Sequence, residues 1–269
     1  MAVINPTVAI LFSVYGGDSL TYLKQAIDSI NQQDYLGLID TIFCVDGVIS
    51  DDMMAVCKAT KNAIVLQLSN NQGLASNLNN GLAYIKKKKY EFIARMDADD
   101  ISDSKRIRLQ VEFLMQQSAV MVVGASAKII DGNGAVIGLK KVPYEVSFSC
   151  LRYKNPIIHS SIMFKMAFLE FIGGYNATYK KNQDYYMWLR SCRSNIPIFN
   201  LQQPLVLFRY DSNIIQRRKK AQKNIIQLKS EFFSGWRRFL YCLPNFIILC
   251  MPSPLIFLAV QLSKRKKEL

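Results

Sequence analysis

The chain has 269 residues and a mass of 30.7 kDa, and its net charge is +14, with half of its residues hydrophobic and a fifth of them charged. This apolar content is enough for a packed core and excludes an intrinsically disordered protein. The six cysteines form no C-x-x-C pair, which argues against a zinc site or a disulfide scaffold and fits reduced thiols in a cytosolic setting.

The first hundred residues alternate between apolar runs typical of buried parallel strands and segments with helical periodicity. Strands are predicted at Val8–Val14, Thr41–Val45, Ala63–Leu68 and Phe92–Met96. The helices between them are predicted to begin after a cap at Asp18 or Ser19, to span about Asp51–Thr60, and to follow Leu74, Leu78, Leu82 and Ile85. This alternation predicts an α/β fold, with a doubly wound, mostly parallel sheet and helices on both faces.

Beyond Asp97 the pattern changes to shorter strands that are separated by fewer helices. Helices are predicted at about Ser104–Gln117 and at Asp184–Cys192. Short strands are predicted at Val120–Val123, Ala127–Ile130, Val136–Leu139, Ser160–Phe164 and Leu205–Phe208. We therefore expect one domain over residues 1–211, followed by a tail over residues 212–269.

The tail carries most of the positive charge. Residues 212–269 contain 12 Lys and Arg against 2 acidic residues, and these cations flank an apolar run from Phe239 to Leu262 that three prolines interrupt. Cations beside apolar surface fit an anionic membrane face better than a nucleic-acid groove, so we expect an interfacial or shallowly inserted anchor rather than a bilayer crossing. A C-terminal helix pair packed on the domain is the alternative.

Polar residues follow all four predicted parallel strands. They are Ser13 and Tyr15, then Asp46, then Asn71 and Gly73, and finally Asp97 and Asp99. Because ligands of open α/β sheets bind at the carboxyl ends of the strands, we expect these residues to share a site. No G-x-G-x-x-G turn and no Walker-type loop is present, so the sequence gives little support to a dinucleotide or P-loop site.

Three carboxylates, Asp97, Asp99 and Asp100, occur within four positions after the fourth strand. Such charges repel one another unless a cation or hydrogen-bond donors offset them. A hard divalent ion, bound through one or two carboxylates and the phosphate oxygens of a substrate, would supply that compensation and would take up charge as a diphosphate departs. The alternative is an acidic helix start with Asp100 or Asp103 as the N-cap.

These segments resemble the family-two, GT-A-type, nucleotide-sugar-dependent glycosyltransferases, and in particular the bacterial enzymes that assemble lipopolysaccharide or capsule repeat units. The matching text covers about residues 7–215 in the order of the family and includes ILFSVYGG, IFCVDG, NNQGLASNLNNG, FIARMDADD, NPIIHSSIMF and NQDYYMW. The resemblance implies a GT-A fold, with a nucleotide-sugar half over about residues 1–100 and an acceptor half over about residues 101–211.

The resemblance also implies roles for residues of the nucleotide-sugar half. Ser13 and Tyr15 would line the nucleotide pocket, and Asp46 would accept a hydrogen bond from the base. Asn71 and Gly73 would lie on the loop beneath the nucleotide.

The resemblance implies that Asp97 reaches the ribose or the metal and that Asp99 binds Mn²⁺ or Mg²⁺ directly. Asp184, in NQDYYMW, matches the general base of the family, although Gln183 stands where many relatives have Glu. The reaction would then be a direct displacement in which Asp184 deprotonates an acceptor hydroxyl and the anomeric configuration is inverted.

Three further residues match positions near the substrates. Trp188 would lie near the acceptor, and His159 would lie near the diphosphate or the acceptor. Arg209 matches the family in LFRYD, where Asp211 replaces a common histidine. Without the resemblance, His159 is a candidate for a packed polar residue and Trp188 for a core aromatic residue.

The function that the resemblance implies is transfer of one hexosyl or N-acetylhexosaminyl group from a UDP-sugar to a polyprenyl-diphosphate-linked saccharide, as in O-antigen, capsule or exopolysaccharide synthesis. The tail fits such an acceptor, which is held at the cytoplasmic face of the bacterial inner membrane. The chain lacks the Q-x-x-R-W signature of processive relatives. Two other function classes stay open: a sugar nucleotidyltransferase, and a non-enzymatic protein that binds membranes or nucleic acid.

Overall fold

The computed structural model describes residues 5–210 and 214–251. The chain divides into two compact units, Met1–Arg209 and Tyr210–Leu269. The first unit is a mixed α/β structure built on one large sheet, and the described part of the second unit is a pair of helices.

The sheet of the first unit has ten strands. In chain order they are β1 (Val8–Tyr15), β2 (Ile39–Asp46), β3 (Ala63–Gln67), β4 (Phe92–Asp97), β5 (Ile101–Ser102), β6 (Val122–Ile130), β7 (Val136–Lys140), β8 (Glu145–Val146), β9 (Met163–Lys165) and β10 (Ile198–Arg209). They lie in the order β3-β2-β1-β4-β9-β6-β10-β5, with β7 beside β6 and β8 beside β10.

Strands β1 to β4 form the parallel half that the alternation of apolar runs predicted. In their register, Tyr15 pairs with Asp46 and Ser13 pairs with Asp97. The carboxyl ends of β1, β2 and β4 therefore meet at one edge of the sheet.

Helices cover both faces of the sheet. In chain order they are α1 (Leu20–Asn31), α2 (Asp51–Ala59), α3 (Leu74–Ile85), α4 (Arg106–Gln116), α5 (Phe148–Leu151), α6 (Met166–Ile172) and α7 (Gln183–Arg193), with a 3₁₀ turn at His159–Ser161. Helices α1, α2 and α4 contribute to one buried core with Ile10 and Phe12 of β1, whereas α3 faces Leu11 and Cys44 from the opposite side. The α/β fold class is thereby confirmed, and Ser19 is the N-cap of α1, one of the two caps that the sequence predicted.

The second half of the unit differs from the prediction in its strands. The two strands predicted on either side of Gly124 are one continuous strand, β6. Gly124 lies inside this strand because Asn200 Oδ1 and Ile162 Cδ1 leave no room there for a side chain. Glycine, which usually weakens a strand, is needed here for close approach. Similarly, β10 begins at Ile198 rather than Leu205, and it continues through register irregularities around Pro204.

The region predicted as a strand over Ser160–Phe164 is divided between two elements. Its first residues form the 3₁₀ turn, and only the residues from Met163 onward join the sheet, as β9. Ser161 explains the division, because its hydroxyl donates to Ile158 O and accepts from Ala125 N, which holds the chain in a turn.

The second unit contains α8 (Ile214–Phe232) and α9 (Gly235–Cys250), and Pro244 lies inside α9. No helix within residues 5–210 and 214–251 combines the length and the hydropathy that crossing a bilayer requires. The rest of the predicted apolar run, from Pro252 to Leu262, and the basic residues from Lys264 onward lie outside the described residues.

Polar side chains are buried where α8 and α9 meet. The Lys229 ammonium donates to Tyr241 O at 2.9 Å and to Asn245 Oδ1 at 2.7 Å. Asn245 Nδ2 in turn donates to Gln222 Oε1 at 2.7 Å. The Phe233 ring packs edge-on against Tyr241 beside this network, with 4.8 Å between the ring centroids.

Candidate active site

The edge formed by the carboxyl ends of β1, β2 and β4 carries the polar residues that the sequence predicted. Ser13 lies beside Asp97 on neighbouring strands, and its hydroxyl is 3.5 Å from Asp97 Oδ1. Tyr15 ends β1 with about half of its side chain exposed, next to Asp46 at the end of β2. The strand order therefore brings Ser13, Tyr15, Asp46 and Asp97 together, as predicted from parallel pairing.

Asp46 organises the loop that leads into α3. Its buried carboxylate accepts from Gln72 N at 2.7 Å through Oδ1 and from Gly73 N at 2.9 Å through Oδ2. Gly73 has a φ of 89°, a conformation that favours glycine over residues with a side chain. Asn71 lies exposed on the same loop. The nucleotide-binding roles of these residues stay predictions, and the structure adds that Asp46 fixes the loop.

A buried arginine forms an ion pair with Asp97. Arg95 is fully buried, and its Nη2 donates to Ser13 Oγ at 2.7 Å and forms an ion pair with Asp97 Oδ1. Its Nη1 donates to Leu11 O at 3.3 Å. The sequence reasoning assigned Arg95 no role, although a charged residue inside an otherwise apolar strand was a usable signal. Arg95 gives Asp97 a fixed orientation and partly offsets its charge.

Asp100 is a structural residue of the turn after β4. It is buried, and it accepts from Ser160 Oγ and from Arg209 N, the latter at 2.9 Å. Burial raises the pKa of Asp100 well above its ordinary value, and the charges of Asp99 and Asp97 raise it further. The alternative of Asp100 as an N-cap is wrong, because α4 begins after Lys105.

Asp103, the other candidate cap, lies just before α4. Its Oδ1 accepts from Lys105 N at 3.0 Å. Lys105 itself occupies the N-cap position of α4, and its side chain makes no capping bond. Asp103 therefore stabilises the turn into the helix without being its N-cap.

A further carboxylate, Asp18, faces the negative charge of Asp97 and Asp99. Burial raises the pKa of Asp18 to about 7, against the lowering effect of a hydrogen bond that Asp18 accepts from Tyr15 N, and the charges of Asp99 and Asp97 add to the rise. The carboxylates of Asp18, Asp97 and Asp99 therefore repel one another at this edge, and a cation would offset that repulsion.

The donor set at this edge consists of oxygen atoms. Among the described residues, no group of three or more His, Cys, Asp and Glu side chains is arranged to hold a metal ion. Asp97 and Asp99 nevertheless offer carboxylate oxygens, which are the ligands that Mg²⁺ and Mn²⁺ prefer, and Mg²⁺ is commonly held by one or two carboxylates together with substrate phosphates. The excess charge around Asp18 and the oxygen donors fit a divalent cation.

Arg209 holds loops in place at this edge. Its guanidinium is buried and donates to Asp99 O at 2.8 Å, to Asp131 O at 3.0 Å and to Gln25 Oε1 at 2.7 Å. It also lies 3.9 Å from the centroid of the Tyr22 ring. These contacts support the turn that carries Asp99, and a direct contact between Arg209 and substrate stays a prediction.

Asp184 lies in the first turn of α7, where a negative charge is favoured by the helix dipole. Its Oδ2 accepts from Asn155 Nδ2 at 2.7 Å. Asn155 begins the NPIIHSSIMF segment that carries the resemblance, but its link to Asp184 was not predicted, because 29 residues separate the two partners and no local pattern connects them.

His159 and Tyr175 interact electrostatically with both Asp97 and Asp184. His159 Nε2 is 2.8 Å from the Tyr175 hydroxyl. Burial lowers the pKa of His159 to about 4, with Arg95 lowering it further and the charges of Asp184 and Asp97 opposing the shift. Burial likewise raises the pKa of Tyr175, and Asp184 and Asp97 add to that rise. Both residues are therefore neutral near pH 7, and the charges of Asp97 and Asp184 affect the pKa of each.

Trp188 lies in α7 and is fully buried, which is the position of a core aromatic residue. Its predicted location near an acceptor stays a prediction. In sum, the structure has carboxylates beside a buried arginine at the sheet edge, one separate carboxylate on α7, and a neutral His–Tyr pair that interacts with both. Such an arrangement can bind a cation with phosphate groups and can accept a proton from a hydroxyl group.

The family model described as "Glycosyl transferase family 2" matches residues 10–224. The chain belongs to this family. The match covers most of the chain, so the resemblance stated from the sequence is confirmed, and glycosyl transfer takes precedence over the two function classes that the sequence left open.

Two relatives of this family-2 glycosyltransferase are bacterial glycosyltransferases. The amylovoran biosynthesis glycosyltransferase AmsE of Erwinia amylovora is 27% identical over 82% of this chain and 85% of its own length. The UDP-Gal:alpha-D-GlcNAc-diphosphoundecaprenol beta-1,3-galactosyltransferase of Escherichia coli is 26% identical over 85% of this chain and 83% of its own length.

A solved structure with a similar fold is the mannosyltransferase PcManGT from Pyrobaculum calidifontis in complex with GDP-Man and Mn²⁺. Its TM-score is 0.62 at 15% identity, and the match covers 94% of this glycosyltransferase and 72% of that chain. At this identity the likeness concerns the fold, and the predicted GT-A fold is thereby confirmed.

Proposed function

We propose that this glycosyltransferase moves one hexosyl or N-acetylhexosaminyl group from a UDP-sugar to a hydroxyl of a polyprenyl-diphosphate-linked saccharide, with inversion, during synthesis of a bacterial surface polysaccharide. The observation that carries the proposal concerns the hydrogen-bonded pair of His159 and Tyr175. The negative charges of Asp97 and of Asp184 both affect the pKa of each member of this pair. This supports the proposal that the sheet-edge carboxylates and the separate carboxylate on α7 serve one site. The E. coli relative, whose name contains both UDP-Gal and a diphosphoundecaprenol acceptor, supports the choice of substrates.

The donor nucleotide would lie across the carboxyl ends of β1, β2 and β4. Ser13 and Tyr15 would line its pocket, and the loop with Asn71 and Gly73 would lie beneath it. Asp46 would contact the base while it keeps the hydrogen bonds that hold this loop. These residues bind the donor and set its orientation.

Asp99 and Asp97 would hold Mn²⁺ or Mg²⁺, and the Mn²⁺ complex of the fold relative supports this cofactor. When bound, the ion supplies positive charge to a departing diphosphate. Arg95 binds Asp97 Oδ1, so the other carboxylate oxygen of Asp97 would be the one that contacts the ion or the ribose. Arg209 keeps the Asp99 turn in place through the backbone carbonyl of Asp99.

Asp184 would act as the general base. It would accept the proton of the acceptor hydroxyl as that oxygen attacks the anomeric carbon from the face opposite the leaving diphosphate. The new bond forms as the old one breaks, so an α-linked donor gives a β-linked product and no covalent enzyme intermediate is required. His159 would lie near the diphosphate or the acceptor as a neutral hydrogen-bonding group, and Trp188 would support the acceptor side from within α7.

The second unit would bring the enzyme to the acceptor at the cytoplasmic membrane face. Six large apolar side chains of α9 are exposed along one stripe, at Trp236, Phe239, Leu240, Leu243, Phe246 and Ile247. The opposite side of the helix, with Tyr241 and Asn245, is buried against α8.

A helix pair in water usually buries its apolar side chains and exposes its polar ones. Here a polar network is buried between the helices, and the apolar stripe is exposed. Arg237 and Arg238 flank the stripe and suit anionic headgroups. With 16 residues, α9 is about 24 Å long, which is short of the hydrocarbon thickness and fits a helix lying in the interface.

A donor and acceptor screen tests the proposal. Thermal unfolding would be followed with UDP, GDP and RNA, each with Mn²⁺, and transfer would be measured from a panel of UDP-sugars to GlcNAc-diphosphoundecaprenol. We expect UDP with Mn²⁺ to raise Tm by at least about 5 °C at saturation, and one UDP-sugar to give a product of inverted anomeric configuration by NMR. Stabilisation by RNA alone, or a product of retained configuration, would contradict the proposal.

A further inference from the structure

The proposed base has a partner that fixes its orientation. We propose that Asn155 is a positioning residue for proton transfer, which holds Asp184 through Oδ2 and leaves Oδ1 directed to the acceptor hydroxyl. This inference rests on the proposed function of Asp184. Its starting observation is the 2.7 Å hydrogen bond from Asn155 Nδ2 to Asp184 Oδ2.

The orientation of the Asn155 amide is determined by a second bond. Asn155 Oδ1 accepts from Ile157 N at 3.1 Å, so the amide oxygen faces the backbone and the NH₂ group faces Asp184. A flipped amide would lose both bonds, since its oxygen would face a carboxylate and its NH₂ would face an N–H group. The side chain is thus a directed donor.

The segment that carries Asn155 is anchored on both sides. Pro156 restricts the backbone immediately after it, and Ile157 and Ile158 are buried. Two residues further on, Ser160 donates to the buried carboxylate of Asp100 in the turn after β4. One short segment therefore contacts both the proposed base and the turn that carries the proposed metal ligands, and it sets the distance between them.

The titratable groups that interact with the charge of Asp184 are His159 and Tyr175. Burial keeps the imidazole neutral above a pKa of about 4 and raises the pKa of the phenol, so neither group changes charge between pH 5 and 8. Arg95 and Asp97 are further charged groups that act on this pair. Asp18, with a pKa raised to about 7, also titrates in this range, but it is unchanged in the variants of Asn155. A difference between the pH profiles of such a variant and of wild type therefore reports on Asp184 and its contact partner.

Asn155→Asp is the discriminating variant. It keeps the shape of the side chain and the oxygen that accepts from Ile157 N, but it replaces the donor with an oxygen that faces Asp184. Two carboxylates in contact share a proton, so we expect the acid limb of the kcat profile to move up by at least about one pH unit. We expect kcat at pH 7 to fall by about 10- to 100-fold, with the KM for the UDP-sugar unchanged within about twofold.

Two further variants separate orientation from folding. Asn155→Ala removes the donor without adding a charge, and we expect kcat to fall by about tenfold with no upward shift of the acid limb. Asn195→Asp makes the same chemical change in the exposed turn after α7, where the αL conformation tolerates either residue, and we expect wild-type kinetics. Tm of each variant would be measured under the same conditions.

The contact also has a readout that needs no turnover. In ¹³C-carboxyl NMR titrations, Asn155→Asp should show a coupled pair of carboxylates that wild type and Asn195→Asp lack. A wild-type kcat profile and an uncoupled titration in Asn155→Asp would overturn the inference. If Asp184→Asn is inactive in the same assay, the proposed base survives that result. Turnover by Asp184→Asn at the wild-type rate would instead contradict the base itself, and the inference with it.

Discussion

In the first unit, apolar side chains are packed between the sheet and its helices, and carboxylates collect at the edge where β1, β2 and β4 end. In the second unit, Lys229 and Asn245 are hydrogen-bonded in the interior, and six large apolar side chains along one stripe of α9 are exposed. Each arrangement is costly in isolation, because clustered charges repel and exposed apolar surface is unfavourable in water. Under the proposed function, the carboxylates bind a cation with a diphosphate and the apolar stripe binds a lipid surface, which offsets both costs.

In both units, the polar side chains are placed where they suit the ligand or surface that the proposed function assigns to that unit. Buried Arg95 offsets one carboxylate of the sheet edge, yet Asp18 still has a pKa raised to about 7, chiefly by burial. The Lys229 network gives the helix pair specific polar contacts while the apolar stripe stays available. These contrasts support the proposal that the first unit carries the chemistry and that the second unit associates with the membrane.

The largest expected effect concerns the chemical part. Asp184→Asn should lower kcat by at least about 1,000-fold, because an amide cannot accept the proton of the acceptor hydroxyl. The Kd for UDP with Mn²⁺, measured by calorimetry, should stay within about twofold. Asp28→Asn, on the exposed side of α1, is the matched control and should leave kcat unchanged. Transfer by Asp184→Asn at a near wild-type rate would show that Asp184 is not the general base.

The second prediction concerns the sheet-edge carboxylates. Asp99→Asn should weaken UDP binding by about 10- to 100-fold in the presence of Mn²⁺, because a neutral amide is a weaker ligand for a hard cation than a carboxylate. In excess chelator, wild type and variant should bind UDP equally. Equal affinities with Mn²⁺ would show that Asp99 does not hold the ion.

The third prediction concerns the apolar stripe. The double variant Trp236→Ser, Phe239→Ser should lower partition onto vesicles of phosphatidylglycerol and phosphatidylethanolamine by at least about tenfold, because each buried large side chain contributes about 1.5–3 kcal/mol. Co-sedimentation measures the effect. Leu36→Ser, at a highly exposed position of the first unit, is the control and should bind vesicles as wild type does.

Two results would change the interpretation of the stripe. Unchanged vesicle binding by the double variant would contradict the assignment of the membrane surface to α9. A smaller molecular mass in ultracentrifugation, with vesicle binding unchanged, would instead indicate that the stripe joins two copies of the chain.

The smallest expected effect concerns Asp18. Its pKa is raised from 3.8 to about 7 in the folded protein, chiefly by burial, so the folded state holds a proton that the unfolded chain has released. The stabilisation is full below about pH 4 and is lost as the pH rises through 7. Asp18→Asn should therefore raise Tm by about 2–6 °C at pH 8 and leave it unchanged at pH 4. An equal shift at both pH values would point to packing rather than charge.

Local pattern was sufficient for the parallel half of the fold. The apolar runs of β1 to β4 and the helical spacing in α1 to α3 depend on residues close in sequence, and a doubly wound arrangement then brings the strand ends together. For the same reason Ser13, Tyr15, Asp46 and Asp97 were predictable as neighbours. Gly124 and Pro204 misled the prediction of β6 and β10, because their local preferences give way to close packing against β10 and to register irregularities.

The periodicity of the chain, its acidic turn after β4 and its basic, apolar tail were thus determined by the sequence alone, since each depends on neighbours within a few residues. Only the tertiary structure decided that Arg95 reaches Ser13 across 82 positions and that Asn155 reaches Asp184 across 29. It also decided that α9 buries Asn245 and exposes Trp236 and Phe239. Such contacts follow from strand order and from how helices pack, which no local pattern encodes.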